Sequence, residues 1–148
     1  MNTKIEELIS WYHNLTPETV NRVSEIYSDQ ARFIDPFNDV SGHAAIANIF
    51  RHMFETTEQP KFLITDVMQK NDTAWVNWIF GCILRNRKIE IKGASRLDFA
   101  QDGRVLKHHD FWNAAELYAQ IPFIGPMVRC INDRMSAPSI NNEGNNKS

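Results

Sequence analysis

Two acidic residues beside apolar runs are the positions in this sequence best suited to chemistry, and the first is Asp35. It follows the run Ala31–Ile34 and precedes Pro36. A carboxylate with such neighbours either opens a turn, where Asp and Pro are common, or enters an apolar cavity. In a cavity the charged form of a carboxyl group is disfavoured and its pKa rises, which suits a general base. Both interpretations of Asp35 stay open at this point.

The second acidic residue is Asp110, in the last strand-like run of the chain. Alternation along a strand places Leu106, His108 and Asp110 on one face together with Trp112. Since Leu106 and Trp112 are poor neighbours for solvent, we expect this face to line the cavity. A His–Asp pair in a cavity can share one proton and act in acid–base chemistry. The alternative is a cross-strand ion pair on a solvated face.

Aromatic side chains in the predicted strands could line a site for a flat hydrophobic ligand, although a core or a dimer interface would use them equally well. Trp75 and Trp78 have opposite parity, so a regular strand cannot turn both to the same side. Asn77 shares the face of Trp75 and could donate a hydrogen bond to a substrate oxygen if that face lines the cavity. The candidate ligand contacts among the aromatic residues are Trp78, Phe80, Trp112 and Phe50.

Hydrophobic periodicity predicts the elements that position these residues. Helical spacing predicts a first helix ending near residue 13, a second from Thr16-Pro17 to Tyr27, and a third opening at Ser41-Gly42 and closing before Pro60. A short strand, residues 31–35, separates the second and third helices. Further strands are predicted at 62–67, 73–84, 89–99 and 105–112, followed by a short helix at 114–120 and a helical turn or two at 127–135.

This order, helices first and a meander of strands after, predicts an α+β fold with helices on one face of a mainly antiparallel sheet. A length of 148 residues fits one domain, over residues 1–135, and the polar stretch 136–148 is expected to be disordered. The net charge of −2 argues against nucleic acid or an anionic membrane as the partner. Without an apolar signal core or an 18-residue apolar run, the expected location is the cytoplasm.

Metal and redox chemistry are not indicated by the spacing of the ligand-type residues. His43 and His52 are nine positions apart and do not share a helix face, and His108 and His109 point opposite ways. Cys82 and Cys130 match no metal or redox motif. The sequence therefore predicts no metal site and no cofactor.

The element order, together with four short motifs, resembles the nuclear transport factor 2-like superfamily and within it the SnoaL-like group, over roughly residues 4 to 125. That group includes polyketide cyclases, ketosteroid isomerase and limonene epoxide hydrolase. The resemblance implies a cone-shaped, strongly curved sheet packed on three N-terminal helices, and a homodimer formed through the sheet. The motifs are Phe33-Ile34-Asp35-Pro36, Ser41-Gly42 with Ala45-Ile46, Asp102-Gly103-Arg104-Val105 and His109-Asp110-Phe111-Trp112.

The resemblance also implies roles for individual residues. Asp35 matches the proton-abstracting aspartate of ketosteroid isomerase, and Tyr12 falls near its oxyanion-hole tyrosine. Ser95 stands where the isomerase has a protonated aspartate as second oxyanion donor, so the steroid reaction itself is not implied. Asp110 matches the last-strand acid/base aspartate of the cyclases and the hydrolase. Because Asn77 stands at a position where the hydrolase needs a charged residue, epoxide opening by that enzyme's mechanism is not implied.

Two functions are compatible with these residues. The first is a cofactor-free isomerase or cyclase in which Asp35 or Asp110 abstracts a proton next to a carbonyl of a small hydrophobic substrate. Tyr12, with Ser95 or Asn77, would hydrogen-bond the enolate oxygen, and His108 would assist Asp110. The second is a non-catalytic module of the same fold that binds a hydrophobic ligand or dimerises through its tryptophan-rich sheet.

Overall fold

A computed structural model describes residues 3–121 and residue 134. The described part contains helices and a single six-stranded, mostly antiparallel sheet, so the predicted α+β class is confirmed. The helices are α1 (Thr3–His13), a 3-10 turn (Thr19–Arg22), α2 (Val23–Ile26), α3 (His43–Thr56) and α4 (Ala114–Ala119). The strands are β1 (Tyr27–Ile34), β2 (Asp39–Ser41), β3 (Glu58–Lys70), β4 (Thr73–Leu84), β5 (Arg87–Phe99) and β6 (Val105–Phe111).

The sheet has the strand order β2-β1-β6-β5-β4-β3. Every neighbouring pair is antiparallel except β1 and β6, which run parallel. The three long strands β3, β4 and β5 form the predicted four-stranded meander together with β6. The short strand β2 was not predicted, since three residues between Asn38 and Gly42 are too few to show an alternating pattern.

Irregularities interrupt the ladder in β1–β6, β3–β4 and β5–β6, and such bulges bend and twist a sheet. One of them changes the predicted faces of β6. Phe99 pairs with Val105 and Asp98 pairs with Lys107, so Leu106 is the extra residue. Leu106 is half-exposed, and the prediction that it shares the inner face with His108 is wrong because the bulge shifts the alternation at this position.

The main core fills the space between the helices and the inner face of the sheet. Alternation along β4 buries Ala74, Val76 and Trp78 and leaves Trp75 and Asn77 exposed. The two tryptophans therefore face opposite sides, as their parity required. The inner face of β4 and β5 carries a second group of buried apolar side chains outside that main core, namely Trp78, Cys82, Ile89 and Ile91.

The predicted second helix is largely absent. The hydroxyl of Thr19 donates to the carbonyl of Thr16 and accepts the Thr16 backbone N–H, and the indole of Trp11 donates to the Thr19 carbonyl at 2.9 Å. These bonds favour a tight 3-10 turn, and the β-branched residues Val20 and Val23 that follow are weak helix formers. The helix stripe that was expected to include Tyr27 ends at Ile26, and Tyr27 begins β1.

The chain divides into two compact units, residues 1–113 and 114–148. The described part of the second unit contains α4, in agreement with the helix predicted at 114–120. The helical turn predicted at 127–135, the domain boundary at 135 and the tail 136–148 fall outside the described residues, except for position 134. Those predictions remain predictions.

Candidate active site

Asp110 lies at the centre of a hydrogen-bonded cluster on the inner face of the sheet. Its Oδ1 accepts hydrogen bonds from two side chains: the hydroxyl of Ser95 at 2.5 Å and Nε2 of His108 at 2.5 Å. Ser95 lies directly opposite Asp110 in the β5–β6 ladder, and His108 is two positions before it on the same strand. Period-2 alternation thus brings the three side chains to one face.

His108 is buried and is held at both ring nitrogens. Its Nδ1 lies 2.8 Å from the hydroxyl of Tyr27, which in turn lies 2.7 Å from the hydroxyl of Tyr12. Its ring stacks on that of Tyr27 and contacts Phe33 with the centroids 4.4 Å apart. The sequence-predicted residues Tyr12, His108, Asp110 and Ser95 are therefore brought together in one continuous network.

Burial controls the protonation of the two tyrosines. Removal of the hydroxyl groups from water raises the pKa of Tyr12 and of Tyr27 well above the ordinary value, and the nearby charge of Asp110 raises both further. Both hydroxyl groups therefore stay protonated at neutral pH. As phenols they can each donate one proton to the network.

Trp78 forms the other end of the hydrogen-bonded network. Its indole N–H donates to Oγ of Ser95 at 2.8 Å. Gly93 lies opposite Trp78 in the β4–β5 ladder, and a Cβ at position 93 would come within 2.4 Å of the indole ring. Because Gly93 has no side chain, the indole of Trp78 can lie across β5 and reach Ser95.

The second carboxylate oxygen of Asp110 is the available atom of this cluster. Within the part of the chain that the structure describes, Oδ2 accepts no hydrogen bond. Among those residues, the Ser28 hydroxyl is the only buried side-chain polar atom that lacks a partner, so Oδ2 keeps access to solvent. The Asp110 side chain is 15% exposed, compared with 4% for His108. One oxygen is fixed by two hydrogen bonds, and the other accepts none from the described residues.

Asp35 occupies the turn that the sequence left open as an alternative. Its Oδ1 accepts the backbone N–H groups of Phe37 and Asn38, each at 2.7 Å, and its carboxylate also accepts the amide of Asn38. No hydrogen bond between described residues joins Asp35 to the Asp110 network. The turn interpretation therefore describes its geometry, and its role as a base stays a prediction.

The predicted ligand contacts lie in different environments. Asn77 is exposed on the outer face, opposite to Asp110, so the expectation that it lines the same site is wrong; β4 turns the face of Trp78 inward instead. Phe50 is buried in the helix–sheet core. Phe80 is half-buried against Phe62 at 4.8 Å, and Trp112 packs edge-on against Phe37 at 5.4 Å.

Tyr27 is the residue of this network that the sequence analysis missed. It was assigned to the apolar stripe of a helix, where a tyrosine is unremarkable. The sequence feature that points to Tyr27 is its position shortly before the strand predicted at 31–35. A residue at the start of an inner strand can contact a side chain on the neighbouring strand. That signal needed the strand to begin at residue 27 rather than 31.

Other possible sites are limited within the described residues. A surface groove of about 500 Å³ lies between α1 and the 3-10 turn, and no predicted site residue lines it. Among the residues that the structure describes, no three His, Cys, Asp or Glu side chains are grouped so as to hold a metal ion. In that same part of the chain, the helices are too short or too polar to cross a membrane.

Comparisons with known proteins agree with this architecture. The model of the SnoaL-like domain family matches residues 8–108. None of the curated proteins compared matches the sequence. The fold matches that of a nuclear transport factor 2-like protein of unknown function from Burkholderia pseudomallei, with a TM-score of 0.72 and 15% identity over 82% of this chain and 99% of that one.

Two further solved structures share the fold. One is a protein with a ketosteroid isomerase-like fold from Catenulispora acidiphila in complex with trimethylamine, with a TM-score of 0.69 and 12% identity over 79% of this chain and 90% of that one. The other is a candidate SnoaL-like polyketide cyclase from Jannaschia, with a TM-score of 0.68 and 14% identity over 83% of this chain and 90% of that one. At these identities the likeness establishes the fold.

Proposed function

We propose that this chain, which belongs to the SnoaL-like domain family, is an acid–base enzyme that abstracts a proton next to a carbonyl group of a small hydrophobic substrate. Asp110 is the base, and Oδ2 is the atom that takes the proton. The observation that carries the proposal is the asymmetry of this carboxylate: Ser95 and His108 occupy Oδ1, while Oδ2 has no partner among the described residues.

This asymmetry suits proton transfer because a base must be held still while its reacting atom stays free. The two hydrogen bonds to Oδ1 come from side chains that are themselves buried, so the carboxylate cannot rotate without breaking them. A base held within hydrogen-bonding distance of the proton it removes contributes roughly 10²–10⁴-fold to a rate. Preorganisation of this kind also lowers the entropy lost on reaching the transition state.

The proposed step balances without a redox partner. The carbon–hydrogen bond breaks, the proton moves to Oδ2 of Asp110, and the electron pair passes into the carbonyl group to form an enolate. Return of the proton to another carbon gives an isomer. Attack of the enolate carbon on a second carbonyl of the same molecule forms an alkoxide, which takes the proton from Oδ2 to give a cyclic aldol. Either outcome regenerates the Asp110 carboxylate.

The inner face of β4 and β5 supports a hydrophobic substrate. Buried Trp78, Ile89 and Ile91 and half-buried Phe80 lie on this face, outside the main core. Ser95 and Tyr12, for which oxyanion roles were predicted, direct their hydroxyl protons to Asp110 and Tyr27 in the present arrangement. Either one would have to turn its hydroxyl toward a substrate to stabilise an enolate.

Deuterium exchange tests this proposal without knowledge of the natural substrate. The protein is incubated in D₂O with a panel of hydrophobic ketones, β-diketones and β-keto esters, and deuterium incorporation is measured by mass spectrometry. We expect exchange above the buffer rate for at least one compound. Asp110→Asn should lower that rate by at least about 10²-fold, because the amide has no basic oxygen.

Two matched variants serve as controls. Asp66→Asn, on the outer side of the sheet, should leave the exchange rate unchanged, because an amide oxygen can still accept the Val67 N–H. Asp35→Asn should also retain activity, since the turn keeps its main acceptor. Loss of exchange in Asp35→Asn with normal exchange in Asp110→Asn would reassign the base. Binding that quenches tryptophan fluorescence in both variants, with no exchange, would favour the non-catalytic module.

A further inference from the structure

The hydroxyl of Tyr27 contacts His108, and the proposed reaction does not use this contact. The phenol is completely buried, at 0% exposure, and its oxygen lies 2.8 Å from Nδ1 of His108. On the other side of the ring, Nε2 lies 2.5 Å from Oδ1 of Asp110. The imidazole is thus clamped between a phenol and a carboxylate, with a hydrogen bond at each nitrogen.

With His108 as the neutral imidazole, the chemistry of the two partners sets the direction of these hydrogen bonds. An ionised carboxylate only accepts, so Nε2 of His108 carries the proton that it donates to Asp110. The lone pair of Nδ1 then accepts the hydroxyl proton of Tyr27. Tyr12 completes the order by donating to the Tyr27 oxygen at 2.7 Å, whereas its own distance to Nδ1 is 3.5 Å, at the outer limit for a hydrogen bond.

All donors in the network therefore point toward one carboxylate oxygen. From one side the order is Tyr12 to Tyr27 to His108 to Asp110, and from the other it is Trp78 to Ser95 to Asp110. If the Tyr27 hydroxyl were lost, Nδ1 would keep only the Tyr12 hydroxyl, 3.5 Å away at the outer limit for a hydrogen bond. The imidazole would then lack the contact that favours one tautomer over the other.

We propose that Tyr27 is a positioning residue, which fixes His108 with its ring proton on Nε2 and thereby holds the Asp110 carboxylate with Oδ2 free to react. The consequence for catalysis rests on the proposed function, whereas the tautomer itself does not. The hydrogen-bonding role belongs to the hydroxyl group. Phenylalanine at position 27 would fill the space of the tyrosine ring but would offer no donor.

Nitrogen NMR of ¹⁵N-histidine-labelled protein tests the tautomer directly, with His108 assigned by its absence in His108→Gln. In the unmodified chain we expect the pattern of an imidazole protonated at Nε2, with Nδ1 at the chemical shift of a nitrogen that accepts a hydrogen bond. Tyr27→Phe should move the Nδ1 resonance toward that of a nitrogen without a donor. Tyr12→Phe is the matched control and should retain the Nδ1 resonance, because the Tyr27 hydroxyl remains.

A kinetic measurement separates positioning from a purely structural role. With a substrate found by deuterium exchange, Tyr27→Phe should lower kcat roughly tenfold or more at an unchanged KM, and Tyr12→Phe should change both less. A proton on Nδ1 in the unmodified chain, or an unchanged Nδ1 resonance in Tyr27→Phe, would overturn the proposal. A shifted resonance with unchanged kcat would reduce Tyr27 to a structural contact. Failure to find any substrate would leave the NMR result standing and count against the proposed function alone.

Discussion

The two oxygen atoms of the Asp110 carboxylate have different environments. Ser95 reaches Oδ1 from the neighbouring strand and His108 reaches it from two positions earlier on the same strand. Both donors are buried, which makes the loss of either hydrogen bond costly, because a buried polar group left without a partner is destabilising by about 1–3 kcal/mol. Oδ2, which accepts no hydrogen bond from the described residues, is the oxygen with access to solvent.

The buried tyrosines give a prediction for alkaline pH. Burial raises the pKa of Tyr12 and of Tyr27 in the folded protein, whereas an unfolded tyrosine ionises near pH 10. Above about pH 10 the unfolded state therefore loses protons that the folded state keeps. The stabilising contribution of the two buried phenols is fully present below about pH 10. Above that pH the free energy of unfolding should fall by about 1.4 kcal/mol per pH unit for each tyrosine.

Urea unfolding at a series of pH values measures this slope, and the absorbance of tyrosinate reports ionisation. Tyr12→Phe should reduce the slope above pH 10 by the share of one tyrosine. The comparison between the two chains cancels the titration of lysine and cysteine. An identical slope in both chains would show that Tyr12 ionises in the folded protein as it does in the unfolded one.

At the scale of elements, bulges and one glycine determine which side chains meet. The bulge at Leu106 restores His108 and Asp110 to the inner face after Val105, which is also buried. Gly93 leaves space for the indole of Trp78 to lie across β5, and from there the indole N–H donates to Ser95. The site therefore depends on backbone features of two neighbouring strands, β5 and β6.

Gly93→Ala tests this dependence. The new methyl group would lie 2.4 Å from the Trp78 ring, so the indole must move and its hydrogen bond to Ser95 should be lost. We expect the free energy of unfolding to fall by about 1–3 kcal/mol, the usual cost of overpacking, with a change in tryptophan fluorescence.

Gly81→Ala on the same pair of strands is the control, because its nearest neighbour would be the Ile89 carbonyl at 3.9 Å. Urea unfolding of both variants makes the comparison. Equal stability of the two variants would mean that the space at Gly93 is not required for the position of Trp78.

At the scale of the whole molecule, the outer face of the sheet carries an apolar patch, defined as Leu63, Met68, Trp75, Ile79, Ala94 and Phe111. Cross-strand pairing places these residues side by side across β3 to β6, and the rings of Trp75 and Phe111 are in contact. A two-fold axis would bring this patch onto the same patch of a second copy.

We therefore expect a homodimer formed through this patch, in line with the expectation from the family resemblance. Sedimentation equilibrium should give the mass of two chains for the unmodified protein. Trp75→Lys should shift the equilibrium to the monomer, because a buried unpaired charge is costly at an interface. Ser10→Lys, on the exposed surface of α1, is the matched control and should remain dimeric.

A monomeric mass for the unmodified protein at all accessible concentrations would contradict the assignment of this patch. A dimer that persists in Trp75→Lys would place the interface elsewhere. Neither result affects the Asp110 network, since that network lies on the inner face of one chain.

The sequence by itself determined the fold class, the helices α1, α3 and α4 and the strands β3 to β6, because helical and strand periodicities are local properties of the chain. It also placed His108 and Asp110 on one face, since parity holds over two residues even when a bulge displaces Leu106. It could not assign Tyr27, because a residue at the boundary of a helix stripe and a strand carries either periodicity equally well.

Only the tertiary structure decided which residues meet. Asp35 was the more conspicuous acid in the sequence, yet the backbone N–H groups of its own turn occupy its carboxylate. Asp110 stood in an ordinary strand; its partner Ser95 comes from β5, and Tyr27, which contacts His108, comes from β1. Contacts between distant segments depend on register, bulges and the space left by Gly93, and none of these is written in the local pattern of residues.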